Sequence, residues 1–172
     1  MMKNKKLFSL LLWSAIASMQ ASAQTFCLHS GTQGVEWTVV PEAEVGTAMK
    51  DFLPLMQEGY HHPKAVKAVV PGTVFTSYVE AGLEKDPNFG DNIQNVDRAK
   101  YDRKFWYRTE FRVPGDFDKE IVWLNFNGNN RHGEIYLNGT YIGELDGFMH
   151  RGHFNVTDIV DRKGTNTLAV LV

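Results

Sequence analysis

The sequence predicts an antiparallel β-sandwich with one short helix, and three observations carry that prediction. Short segments rich in β-branched and aromatic residues recur from residue 36 to the C-terminus. Gly, Pro, Asn and Asp separate them at short intervals. No heptad, internal repeat or low-complexity tract interrupts the series.

The first element is expected at residues 36–40 (EWTVV), where Pro41 limits extension. Pro71-Gly72-Thr73 makes a turn in which Thr73 can cap a two-turn helix over residues 74–82, with Val74 and Tyr78 on one face and Gly82 as the stop. Residues 84–103 (EKDPNFGDNIQNVDRAKYDR) lack a hydrophobic period and read as a long loop, a length often tied to function. Phe105, Tyr107, Phe111 and Val113 then alternate with Trp106, Arg108, Glu110 and Arg112, the period-two mark of a half-buried strand. Residues 121–126 (IVWLNF) are apolar on both faces and suggest a central strand, broken by Gly128-Asn129-Asn130. Residues 134–143 form a hairpin with Asn138-Gly139 at its tip, a pair suited to a type I′ turn. Strands at 153–156 and 168–172 follow, and the last is expected to lie at an exposed edge or to lack a partner.

At the N-terminus, Lys3, Lys5 and Lys6 precede an apolar run over residues 7–17, followed by Ala21-Ser22-Ala23. That is the pattern of a secretory leader over residues 1–23, cleaved after Ala23, and it implies a periplasmic or secreted protein without a membrane anchor after cleavage. The mature domain is then 24–172. Its single cysteine, Cys27, allows no internal disulfide, so stability must come from a hydrophobic core. A formal charge of −2 gives no electrostatic reason to expect nucleic acid or an anionic membrane as partner.

Catalytic patterns are absent. There is no G-x-S-x-G elbow, no P-loop and no H-E-x-x-H, and His61-His62 and His150-Arg151-Gly152-His153 lack the further ligands that zinc needs. No cofactor or metal is expected, and no acidic pair can be assigned from the sequence to glycosidic chemistry. What remains suits hydroxyl-rich ligands: aromatic rings for the apolar face of a sugar, with amides and charged groups for its hydroxyls. The candidates are Asn88, Phe89, Asp91 and Asn92 in the long loop, and Asp146, Phe148, His150 and Arg151 after the hairpin. Alternatively, Phe89 and Phe148 plug the ends of the sandwich and the polar groups cap turns.

Several stretches in order resemble the opening of family 2 glycoside hydrolases of the β-mannosidase and exo-β-glucosaminidase type. They are Val70-Pro71-Gly72-Thr73-Val74, Ala81-Gly82-Leu83, Asp86-Pro87-Asn88-Phe89-Gly90-Asp91-Asn92, Trp106-Tyr107-Arg108-Thr109-Glu110-Phe111, Tyr136-Leu137-Asn138-Gly139, and Phe154-Asn155-Val156-Thr157-Asp158 with Asn166-Thr167-Leu168-Ala169-Val170. The resemblance implies a jelly-roll, galactose-binding-like domain, incomplete at its C-terminus, that precedes an immunoglobulin-like domain and a TIM barrel in a retaining β-glycosidase. The barrel would carry both catalytic glutamates, so none is expected in this chain. The resemblance also implies that residues 86–92 and 147–152 lie at the rim of the substrate site. In the second segment Phe148-Met149-His150-Arg151 replaces the Met-Phe-Arg run more usual in the mannosidases. A free-standing carbohydrate-binding module and an interaction domain without a sugar site are the alternative readings.

Overall fold

The computed structural model describes residues 23–172; the predicted leader, save Ala23, lies outside the described residues. Six strands form one continuous antiparallel ladder: β1 (Glu36–Pro41), β2 (Val66–Ala68), β3 (Phe105–Phe111), β4 (Trp123–Leu137), β5 (Thr140–Asn155) and β6 (Asn166–Leu171), in the order β2-β1-β3-β6-β4-β5. Short helices α1 (Glu42–Val45) and α2 (Met49–Phe52) follow β1, and α3 (Val74–Glu80) precedes the long loop.

The ladder becomes a two-layered sandwich because the β4–β5 ribbon turns a corner. Residues 143 and 154 of β5 would stand roughly 36 Å apart in an extended strand, at about 3.3 Å per residue. Instead a Cβ built on Gly143 would meet the Phe154 ring at 2.6 Å, and one on Gly152 would meet Leu145 at 2.8 Å. The bend falls where the register shifts between Phe126, Asn129 and Asn130 on β4, opposite Gly147 and Met149, both with positive φ, on β5. Such bulges bend a strand and re-aim its side chains. The far end of the ribbon, the arm, thereby lays Leu124, Phe126 and Phe154 over the core built on Trp37, Val39, Tyr107, Ile135, Leu168 and Val170.

The opposite face of the sheet is covered by residues 45–60, where Leu55, Met56 and Phe52 pack on Trp106, Ala169 and Leu171. Trp106 is fully buried, and its indole N–H finds no acceptor among the described residues. That omission costs about 1–3 kcal/mol of desolvation. Ring packing against Phe52 at 5.2 Å and Tyr136 at 5.7 Å offsets it. Arg108, also buried, donates from Nε to the Leu55 carbonyl and from Nη2 to that of Gln57, both at 2.7 Å, and pairs with Glu110.

The helix, the hairpin and the Pro41 stop stand where the sequence places them. Thr73 Oγ1 accepts from the Thr76 amide at 3.0 Å, Gly82 takes φ 72°, and Asn138 and Gly139 take φ 51° and 80°. Three expectations are corrected. β3 is buried on both faces rather than one, because residues 45–60 seal its second face. Residues 121–126 are not a central strand: β4 pairs with β6 only from Glu134 to Leu137, so the segment lies in the bent arm and Trp123 is exposed. The last strand is no edge: β6 runs between β3 and β4 and is wholly buried.

Candidate functional site

Strand register brings the exit of the long loop and the corner to one end of the sandwich. Phe105, the first residue of β3, exchanges backbone hydrogen bonds with Val172 at 2.8 and 2.9 Å, while Phe111 lies opposite Asn166. β4 lies antiparallel to β6, with Glu134 opposite Leu171 and Leu137 opposite Leu168. The long loop, which feeds β3 at Phe105, and the corner, which begins beyond Glu134, therefore share an end. The Asn138-Gly139 turn lies at the other.

At the corner the backbone holds side chains outward. Phe148 is 82 % exposed and Met149 56 %. Met149 takes φ 53°, a left-handed conformation that a residue with a side chain pays for and that recurs at functional sites. The His150 ring closes the turn: its Nδ1 donates to the Asp146 carbonyl at 2.7 Å. A carbonyl can only accept, so Nδ1 carries the proton and Nε2 is left as an outward acceptor in the neutral ring. Asp146 faces its cross-strand neighbour His132, whose Nδ1 lies 3.8 Å from the carboxylate; His132 Nε2 lies 3.8 Å from Glu134 on the other side. Glu134 also accepts from Tyr136 Oη at 3.3 Å and pairs with Lys104 at 3.5 Å. A line of polar groups thus runs from Asp146 to Lys104, the last residue before β3.

In the loop, Asp86 Oδ1 accepts from the Asn88 amide at 2.9 Å and from its side chain at 3.1 Å, and Asn92 Nδ2 donates to the Asp86 carbonyl at 2.9 Å. These bonds build a turn that leaves Phe89 77 % exposed and Asp91 on the surface. Lys100 and Glu84 close the base of the loop at 2.8 Å. That bond, above all, holds the Glu84 carboxyl below its ordinary value and raises the Lys100 ammonium.

Neither Phe89 nor Phe148 plugs an end of the sandwich; both rings stand in solvent. Of the polar candidates, Asn88 and Asn92 hold a turn through Asp86, and His150 holds one through the Asp146 carbonyl. Among the described residues no hydrogen bond or ion pair joins the loop candidates to Asp146, Phe148, His150 or Arg151; they share an end but form two clusters. Sequence reasoning missed His132 and the Lys104–Glu134 link, and it included Met149 within segment 147–152 without its left-handed backbone. Their placement depends on cross-strand register and on a bulge, neither of which has a local sequence signal. A surface depression of about 450 Å³ between Phe26, Gly34, Glu110, Arg112 and Thr165 involves none of the candidates. Among the described residues no three His, Cys, Asp or Glu side chains converge as a metal site.

This is an antiparallel β-sandwich domain that gathers exposed aromatic, amide and charged groups at one end. The family described as "Glycosyl hydrolase 2 galactose-binding domain-like" matches residues 55–172. The chain belongs to that family, the N-terminal domain of family 2 glycosidases. It is 34 % identical over 111 residues to a mannosylglycoprotein endo-β-mannosidase of Lilium longiflorum, covering 62 % of this chain and 12 % of that protein. It is 29 % identical over 103 residues to an exo-β-D-glucosaminidase of Amycolatopsis orientalis, covering 58 % and 10 %. The crystal structure of a β-D-mannosidase from Dictyoglomus thermophilum superposes on 80 % of this chain and 14 % of its own, with a TM-score of 0.60 and 31 % identity. The chain therefore spans about a tenth of the length of the curated relatives it matches.

Proposed function

We propose that this chain is the front domain of an exported, retaining β-glycosidase, and that its loop-and-corner end forms part of the rim of the substrate site. The observation that carries the proposal is the register that sets the entry to β3, where the long loop ends, and the corner at one end of the sandwich, with Phe89 and Phe148 in solvent. Exposed rings with amides, a histidine acceptor and an arginine beside them can stack on a pyranose and bond its hydroxyls. The names of the similar proteins favour a β-linked mannose or glucosamine unit as the sugar. The catalytic carboxyl pair belongs in this reading to a downstream barrel, and the chain contributes binding energy to the reacting sugar from outside the reaction centre. Export follows from the leader pattern over residues 1–23, and an immunoglobulin-like domain and a TIM barrel are the partners in the complete enzyme.

The test is kinetic. In the complete enzyme, Phe148→Ala and Asp91→Ala are each expected to lower kcat/KM about tenfold, near 1.4 kcal/mol of lost transition-state binding, with unchanged thermal unfolding because both positions are exposed. Unchanged kcat/KM in both variants would remove this end of the domain from the substrate site.

A further inference from the structure

The arm presents a second surface, which adjoins the rim at Arg151. Along it, Val122, Leu124, Phe126, Gly152, Phe154 and Val156 turn toward the core, so the alternate residues face out. On β4 these are Trp123 and Asn125, and on β5 Arg151, His153 and Asn155. Asn155 stands opposite Trp123 and His153 opposite Asn125. We propose that this outward face is a carbohydrate-binding surface that takes a neutral, β-linked pyranose chain, with Trp123 as its stacking ring.

Three observations support it. Trp123 is 46 % exposed although one face of its indole is already covered: His153 stacks on it with ring centroids 4.1 Å apart and planes within 6°. His153 is in turn hydrogen-bonded through Nδ1 to Asn125 Oδ1. The indole plane is thus fixed before a ligand arrives, and binding does not have to order it. The flanking amides are also oriented. Asn125 Oδ1 is occupied by His153, and Asn155 Oδ1 accepts from the Thr157 amide at 3.0 Å and from its hydroxyl at 2.6 Å. Both NH₂ groups are left without partners among the described residues, as is the Arg151 guanidinium, so the ring is bordered by donors suited to hydroxyl and ring oxygens. Finally, Arg151 is the one residue of permanent charge in this set, which fits a neutral polyhydroxyl chain better than a polyanion.

The surface does not rest on the rim proposal. Trp123 and Asn125 precede the bulged residues 126–130 on β4, and His153 and Asn155 follow Arg151 on β5, so the stacked pair lies outside the corner and Arg151 borders both.

The experiment measures acrylamide quenching of indole fluorescence in the purified chain with the β-1,4-linked hexaoses of mannose, glucose and N-acetylglucosamine as probes. Trp37 and Trp106 are buried, so among the described residues the quenchable indole is Trp123. Saturable protection by at least one hexaose is expected. Trp123→Ala should weaken binding of that hexaose, followed by calorimetry, at least about tenfold, while Met49→Ala, at an exposed position on α2, should bind within about twofold of wild type. Absence of protection with all three probes on the folded chain would overturn the proposal. So would undiminished binding by Trp123→Ala, or loss of binding with Phe148→Ala alone, which would move the site to the corner. Should Trp123→Ala not fold, quenching of the unaltered chain decides.

Discussion

Asn166 shows how much of this domain hangs on single side chains. It is fully buried, and its amide bonds three ways: Oδ1 accepts from Asn138 Nδ2 at 2.8 Å and from the Asp161 amide at 2.7 Å, and Nδ2 donates to the Asp161 carbonyl at 2.7 Å. Asn138 completes the network by accepting from the Thr167 amide and donating to the Ile159 carbonyl. The hairpin tip, β6 and residues 159–161 are thereby joined. Asn166→Ala leaves buried donors and acceptors unpaired and is expected to cost about 3 kcal/mol, read as a lower urea midpoint at unchanged slope. An unchanged midpoint would show that water replaces the amide. The turn at Asn138-Gly139 was legible because its positive φ values demand those residue types. The network behind it was not, because its members lie far apart in sequence.

At the scale of elements, the long loop and the corner behave differently. The loop is held at its base by Glu84 and Lys100, and the hydrogen bond between them lowers the Glu84 carboxyl. A carboxyl depressed in the folded state contributes stability above its unfolded pKa and loses it as pH falls through the folded value. Amides of residues 92–100 should therefore exchange with solvent faster, relative to intrinsic rates, as pH falls through and below the ordinary glutamate range. Glu84→Gln should give that faster exchange at neutral pH as well. Exchange independent of both pH and Glu84 would detach the salt bridge from loop order. The corner, by contrast, is set by backbone geometry, where a sequence of Gly, Asn and Gly signals a break without saying that two long strands continue through it. For the same reason β4 and β5 looked like several short strands, and residues 121–126 looked central. Hydrophobic composition records that a side chain packs, but not whether one face or two are covered.

For the whole molecule, the antiparallel sandwich, its helix and the family were legible from residue types at turns and from the order of the matching stretches. The position of β6 was not. An apolar strand near the C-terminus suggests an edge, yet here it fills the centre of the sheet, because long-range pairing and not chain order decides which strands are neighbours. We propose that this domain works as the rim-contributing front of a β-glycosidase. Its most direct test is to isolate the native product from culture medium and periplasm with an antibody against residues 24–172, then measure its intact mass and the anomer released from 4-nitrophenyl β-mannoside and β-glucosaminide. The expected product is an exported protein several times the mass of this chain, without residues 1–23, that hydrolyses at least one of the two with retention. A product of the chain's own mass, with no hydrolysis of either, would contradict it.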